Sequence, residues 1–212
     1  MEKTMTPSET TITAGQIGKI QEVLGAALRK SGLLSEPTQQ VVTDKSAMGK
    51  LTDELLAVIR KRVEAISDMI VRRVRVDRSR SPQEALDATG RRQYTTQPVV
   101  DAMPRGKGEE VEVVFFKPSP DAYDATGLIG DDAVEIEFDL RGLKPADPYS
   151  LCKANEDDPA FADEHPNATH WKDEDGNWCY VAFNRWNDER NVNVNRDDSG
   201  WSRSYRFAGV CK

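Results

Sequence analysis

Residues 178–201 read WCYVAFNRWNDERNVNVNRDDSGW, and asparagine alternates with valine in the second half of this stretch. Strands select against asparagine, because its short amide competes for local backbone hydrogen bonds. Side chains alternate between the two faces of a strand, so the two valines point towards a core while Asn191, Asn193 and Asn195 share the other face. The alternation therefore predicts a strand that presents a row of amides outward.

Neighbouring segments bring aromatic and basic side chains to the same predicted face. Antibody paratopes use a similar mixture, in which Tyr and Trp supply rigid contact area, Asn and Ser adapt their hydrogen bonds, and Arg adds strong local contacts. We therefore predict a ligand-binding surface anchored by Trp186, Trp201 and Tyr205. The predicted ligand-binding residues are Asn184, Arg185, Trp186, Asn187, Arg190, Asn191, Asn193, Asn195, Trp201, Arg203 and Tyr205. A solvated sheet face without a partner is the alternative.

Sequence patterns elsewhere in residues 70–212 predict strands and short helices. Asp175-Gly176 is the dipeptide of a tight hairpin turn, so the carboxy-terminal third is predicted to be an antiparallel meander. Three further segments alternate with a period of two and predict strands, namely VRRVRV (71–76), EVEVVFFK (110–117) and AVEIEFDL (133–140). Helix-start signals predict short helices in SPQEALDATG (81–90) and DPYSLCKAN (147–155), whereas RRQYTTQPVVDAMPRGKG (91–108) is predicted to be a loop.

The amino-terminal part predicts helices. Thr13 and Gln16 have the spacing of a capping box, and an amphipathic helix follows and ends near Ser31-Gly32. After the predicted linker SEPTQQVVTD (35–44), a second apolar stripe runs from Leu51 to Ile70. Such helices can pair with each other, self-associate, or pack against the rest of the chain.

These patterns predict an α+β fold with three parts. A helical pair precedes a mixed or antiparallel sheet region. The predicted boundaries are a disordered tail at 1–12, a helical hairpin at 13–69 and an α+β binding domain at 70–212.

Composition narrows the class of protein. The chain has 212 residues, of which 38% are hydrophobic and 31% charged, as expected of a compact domain. No apolar run approaches the roughly 18–20 residues that span a bilayer, and the amino terminus lacks the pattern of a secretory signal, so we expect a cytoplasmic protein. Three cysteines without CxxC spacing indicate neither a disulfide framework nor a zinc knuckle.

Charge is distributed unevenly along the chain. Residues 1–108 carry 18 Lys and Arg against 13 Asp and Glu, whereas residues 109–212 carry 11 against 23. The basic segment from Arg72 to Arg80, with Arg91 and Arg92, makes a nucleic-acid-associated protein one alternative. The net charge of -7 argues against general affinity for nucleic acids.

Motifs of catalysis and cofactor binding are missing. There is no GxSxG, Walker loop or dinucleotide fingerprint, and the segment DEDGN (173–177) lacks the spacing of a calcium loop. His165 and His170 match no closed zinc pattern. We therefore expect no cofactor, no metal and no enzymatic activity. An enzyme with an unrecognised site around the histidines and the acidic residues 156–164 is the second alternative.

Several segments resemble a family of small uncharacterised bacterial proteins known chiefly from metagenomes. The resemblance covers about two thirds of the chain and is carried by VDRSRSPQEALDATGRRQY, GLKPADPYSL, DPAFADEHPNATHWKDEDGNWCY and FAGV. In that family the strands after the HWKD and NWCY motifs look unusually varied. This is similar to the target proteins of diversity-generating retroelements, in which adenine-directed variation makes asparagine codons the richest substrates.

The second resemblance implies a C-type-lectin-like scaffold for the carboxy-terminal meander. Asn184, Asn187, Asn191, Asn193 and Asn195 stand where variable positions would lie. The chain departs from the better-known variable proteins, since it has SGW and YRFAG in place of their GGSW and GFR motifs. Together these observations favour a non-enzymatic protein that binds a protein or glycan ligand.

Overall fold

The computed structural model describes residues 12–66, 69–196 and 199–212, and it omits the side chains of residues 60–66. The chain divides into two compact units, residues 1–67 and 68–212. The predicted tail at 1–12 lies almost wholly outside the described residues. Within the described ranges, no helix combines the length and the apolar character needed to cross a membrane.

The described part of the first unit contains three helices, α1 (Ala14–Lys30), α2 (Ser35–Thr43) and α3 (Lys45–Ile66). The predicted capping box is present, because the Thr13 hydroxyl accepts a hydrogen bond from the Gln16 backbone and the Gln16 side chain accepts one from the Thr13 backbone. The prediction of only two helices is wrong. The predicted linker forms α2, since its proline lies in the first turn, where a missing N–H costs no helical hydrogen bond.

The apolar stripes of these helices stay largely open to solvent. Leu28, Leu34 and Val58 are all more than half exposed, with Leu34 at 72%. Ile70, which the sequence placed at the end of the second stripe, lies in the first strand of the second unit and is fully buried.

The second unit is built on a mixed sheet. Its strands are β1 (Met69–Arg75), β2 (Arg92–Thr95), β3 (Glu110–Phe116), β4 (Leu128–Ile129), β5 (Leu143–Pro145), β6 (Asn167–Lys172), β7 (Trp178–Trp186), β8 (Glu189–Arg196), β9 (Trp201–Ser202) and β10 (Arg206–Cys211). The main sheet has the order β1-β3-β10-β6-β7-β8-β2, with β5 paired to β10, and β4 pairs with β9 separately. The described chain is therefore an α+β protein, as the sequence predicted.

Helices and two core layers cover the main sheet. The helices are α4 (Pro82–Asp87), α5 (Gln97–Asp101), α6 (Asp131–Leu140), α7 (Pro148–Asp157) and α8 (Phe161–Glu164). One core layer contains Val192 and Val194 together with residues of α4, α5, α7 and α8. The other contains Ala182, Phe138 of α6 and Trp201 of β9. Both faces of the sheet are therefore covered over much of their area.

The segment AVEIEFDL forms α6 rather than the predicted strand. Val134 and Phe138 are spaced by four residues, a spacing that fits a helical stripe as well as a strand face. Ile136 stands between them and is exposed, which only the helix explains. Two acidic residues in the first turn, Asp131 and Asp132, favour a helix start because they complement its dipole.

The strand order also departs from a simple meander. β6, β7 and β8 form the predicted antiparallel meander. The last strand, β10, returns between β3 and β6, pairing antiparallel with β3 and parallel with β6. The outer neighbour of β8 is β2, from the segment predicted to be a loop, and it pairs in parallel.

Gly209 of β10 allows a close approach between the sheet and α6. A Cβ at this position would lie 2.9 Å from Cε1 of Phe138 and 3.2 Å from the Leu143 side chain. We expect Gly209→Ala to lower the free energy of unfolding by about 1–3 kcal/mol, because the added methyl overpacks a fixed core. Urea denaturation measures this loss, and an unchanged midpoint would contradict the tight contact.

Candidate ligand-binding site

The alternation of asparagine and valine has the predicted geometry. Val192 and Val194 are fully buried in one core layer, and the three amides lie on the opposite face. In the β7–β8 pairing, Asn191 lies opposite Asn184, Asn193 opposite Ala182, and Asn195 opposite Tyr180.

The sequence predicted that all three amides are presented outward, but the structure does not leave all of them open to solvent. Asn191 is only 4% exposed, whereas Asn193 and Asn195 are half-buried. This face is not open, because β9 and α6 contribute Trp201 and Phe138 to the second core layer on the same side of the sheet.

Two of the predicted asparagines have structural roles. Asn195 accepts a hydrogen bond from the Thr96 hydroxyl, and its Nδ2 donates to the Tyr94 carbonyl at 3.1 Å, so it ties β8 to the edge strand β2. Asn187 and Asp188 have φ angles of 50° and 62°. Positive φ at both central residues is what a type I′ hairpin turn requires, and asparagine tolerates it.

A pocket of about 320 Å³ opens beside Asn184 and Asn193, and Asn191 is not among the described residues that line it. Its polar lining comes from Asn184, Asn193 and hydroxyl-bearing side chains, and its apolar lining from aromatic and aliphatic groups. The described residues that line it are Leu128, Tyr180, Ala182, Asn184, Asn193, Ser199, Gly200, Trp201, Ser202 and Tyr205.

Hydrogen bonding in this pocket is incomplete. The Asn184 Nδ2 donates to the Tyr205 hydroxyl at 2.8 Å. The Oδ1 atoms of Asn184 and of Asn191, directly opposite, are buried and accept no hydrogen bond from any described residue. Burial raises the pKa of Tyr205, and the hydrogen bond from Asn184 offsets this only in part, so the phenol stays neutral at physiological pH.

The predicted aromatic anchors occupy different environments. Trp186, at the tip of the β7–β8 hairpin, is 70% exposed. Trp201 is only 8% exposed, and its Nε1 donates to Asp131 at 3.0 Å, so it forms a wall of the pocket rather than an open contact surface. Its ring meets Tyr180 and Tyr205 edge-on, at centroid distances of 5.0 and 5.3 Å.

The predicted arginines are engaged with partners inside the second unit. Arg185 and Arg190 both pair with Asp163, at 3.3 and 2.8 Å. Arg203 lies over the ring of Tyr123, 4.9 Å from its centroid. Arg185 and Arg190 lie on the same face of the sheet as Val192 and Val194, opposite the pocket, and none of the three arginines is among the described residues that line it.

The sequence reading missed two aromatic residues of this face. Tyr180 lines the pocket, and Tyr94 is exposed and lies beside Asn193 through the parallel β2–β8 pairing. A signal for β2 was present, because Tyr94, Thr95 and Thr96 are residues that strands favour. The prolines and glycines that follow led instead to the prediction of a loop over residues 91–108.

A buried polar network lies behind the pocket. His170 is almost fully buried, with Nδ1 hydrogen-bonded to Asp131 and Nε2 to Glu135 at 2.8 Å. Burial alone would lower the pKa of His170, but the hydrogen bonds to Asp131 and Glu135 outweigh burial and raise it. Glu135 also lines a larger groove of about 990 Å³ at the carboxyl end of β6.

This network does not form a metal site. The two carboxylates bind opposite ring nitrogens, so no lone pair of His170 is left for a metal. Elsewhere in the described ranges, no three His, Cys, Asp or Glu side chains converge in a way that would hold a metal ion.

Comparisons with family models, curated proteins and solved structures find no match for this chain. The geometry of the pocket is therefore the basis for a functional proposal.

Proposed function

We propose that the second unit is a non-enzymatic binding domain that recognises a protein or glycan ligand with the β7–β8–β2 face and its pocket. One observation carries this proposal: Asn184, which lines the open pocket, keeps a buried amide oxygen without a described hydrogen-bond donor, and so does Asn191, opposite it on the neighbouring strand. A buried acceptor left unpaired costs about 1–3 kcal/mol. A ligand donor that reaches such an oxygen when the pocket side chains move would recover that free energy.

The alternative of an enzyme finds less support. Both ring nitrogens of the buried His170 are already hydrogen-bonded to carboxylates, so neither is available as a general base. Two carboxylates of the acidic segment 156–164 are also held in ion pairs. Glu156 pairs with Arg80 and Lys153, and Asp163 pairs with two arginines of the β7–β8 hairpin.

Nucleic-acid binding by the basic segment is not favoured either. Its arginines make ion pairs within the second unit, namely Arg73 with Glu112, Arg75 with Glu109, Arg78 with Asp147, Arg80 with Glu156 and Arg92 with Glu189. Arg91 is buried and donates to the carbonyls of Pro159 and Asn184. The carboxylates beside these arginines offset the positive charge on which phosphate binding depends.

The substitution Asn191→Val tests whether this amide is kept for the fold or for a ligand. We expect the free energy of unfolding to rise by about 1–2 kcal/mol, because the change removes a buried unpaired acceptor and adds a strand-favouring side chain. Urea denaturation of the full chain measures the difference.

Asn195→Val is the matched control on the same strand. It removes the hydrogen bonds to the Thr96 hydroxyl and the Tyr94 carbonyl, so we expect a loss of about 1–3 kcal/mol in the free energy of unfolding. Destabilisation of similar size in both variants would show that Asn191 is structural, and the proposal would lose its main support.

We also propose that the amide positions are diversified, on a C-type-lectin-like scaffold, in the manner of retroelement target proteins. The clustering of Asn184 and Asn193 in one pocket supports this proposal. The structural roles of Asn187 and Asn195 exclude these two positions from the proposed diversification. A reverse transcriptase gene beside an imperfect repeat of the 3′ end of this gene is the expected genomic arrangement. A neighbourhood without either element would exclude diversification.

A further inference from the structure

We infer that the pocket binds a neutral, hydroxyl-rich ligand of about the size of one sugar ring, so that the second unit recognises an uncharged saccharide. The inference rests on the proposed function, because it names the class of ligand that the binding face accepts.

The described lining of the pocket carries no formal charge. In a chain in which 31% of residues are charged, all ten described lining residues are apolar, amide-bearing or hydroxyl-bearing, or glycine. The tyrosines are the ionisable members, and the raised pKa of Tyr205 keeps that phenol neutral. A charged ligand group would lose its hydration on entering without gaining an opposite charge from these residues.

The polar groups of Tyr205 and Asn193 match a hydroxyl group. The Tyr205 oxygen accepts the hydrogen bond from Asn184 Nδ2, so its own proton is available to a ligand acceptor. Asn193 is half-buried in the same pocket, and its amide oxygen can accept from a ligand donor. A hydroxyl can accept from the phenol and donate to an amide oxygen at the same time, which a carbonyl or an ammonium group cannot do.

The rest of the lining suits a ring that is polar at its edge and apolar on its face. Trp201, Tyr180, Ala182 and Leu128 offer an apolar wall to C–H groups, while the amide of Asn193 and the hydroxyl of Ser202 stand at polar positions of the same pocket. The volume of about 320 Å³ is at the small end of the roughly 300–1,000 Å³ range of small-molecule sites. One ring, free or at the end of a glycan, fits that volume better than an extended chain.

Saturation-transfer NMR on the full chain tests the inference with glucose, galactose, mannose and N-acetylglucosamine as probes, and glucosamine and glucuronic acid as charged counterparts. We expect at least one neutral sugar to receive saturation on its ring protons and the charged counterparts to bind roughly tenfold more weakly. Asn184→Leu should weaken binding of the neutral sugar roughly tenfold, because it removes the hydrogen bond that orients the Tyr205 hydroxyl. The control Asn177→Ala, in the exposed β6–β7 turn, should leave binding unchanged.

The contrary outcomes separate the two proposals. Absence of saturation in all four neutral sugars, together with the expected stabilisation by Asn191→Val, would overturn the saccharide class and leave a binding domain with another ligand. If the charged sugars bind as tightly as the neutral ones, the inference that the ligand is uncharged is wrong. Equal binding by the wild type and Asn184→Leu would place the saccharide outside the pocket. Destabilisation by Asn191→Val would instead contradict the proposed function itself.

Discussion

Replacing His170 with leucine is expected to lower the free energy of unfolding by about 3–5 kcal/mol near neutral pH. His170 and Asp131 are both buried, and the substitution leaves the Asp131 carboxylate with the Trp201 indole as its remaining side-chain donor. Removal of one partner from a buried pair leaves an uncompensated charge, which typically costs this much. Urea denaturation at pH 6 to 7 measures the loss.

The same network gives the wild type a defined pH dependence. The hydrogen bonds to Asp131 and Glu135 raise the pKa of folded His170 above its ordinary value of 6.5, although burial opposes them. A raised folded-state pKa means that the imidazolium stabilises the fold fully below about pH 6.5, the unfolded value. This stabilisation is lost as the pH rises through the folded-state pKa. We therefore expect the free energy of unfolding to fall from neutral into alkaline pH.

His165 supplies the control, since the chain has only two histidines. It is half-buried just after α8, with its ring 5.5 Å from that of Phe161. His165→Leu should keep the alkaline decline, whereas His170→Leu should remove most of it. A decline that persists unchanged in His170→Leu would show that another group controls the pH dependence.

Local patterns predicted most elements of this fold but not their arrangement. The capping signals at Thr13 and Ser81 start helices as expected, since a cap depends only on residues three positions apart. The stripe of Val134 and Phe138 was misread, because a spacing of four satisfies both a strand and a helix. The placement of β10 between β3 and β6 depends on pairing between residues about 40 to 90 positions apart, which no local pattern encodes.

Local patterns likewise predicted only part of the candidate site. Alternation correctly separated the face of Val192 and Val194 from that of the three asparagines, because this follows from strand geometry alone. It could not show that β9 and α6 cover part of that face, since the Trp201–Asp131 contact joins residues 70 positions apart. For that reason Trp201 was predicted as an anchor and is found in the wall of a pocket.

The ion pair between Arg78 and Asp147 is expected to be the second large contributor to stability. The two side chains are 17% and 13% exposed. Arg78 also donates to Ser150 Oγ at 3.1 Å, to the Gly108 carbonyl at 3.0 Å and to the Arg105 carbonyl. One guanidinium therefore joins the end of β1, the loop before β3 and the start of α7.

Arg78→Met should lower the free energy of unfolding by about 3–5 kcal/mol, because it leaves a largely buried carboxylate without its cation and the loop carbonyls without their donor. Arg73→Met is the matched control, since the Arg73–Glu112 pair is largely exposed at the arginine, with 79% of that side chain accessible. Exposed pairs contribute less than about 1 kcal/mol, so this variant should stay close to the wild type in urea denaturation. Arg78→Lys should recover only part of the loss, because a single ammonium cannot reproduce the fork of donors that contacts Asp147 and the loop together. If Arg78→Met cost no more than Arg73→Met, the loop and α7 would have to be held by their own packing instead.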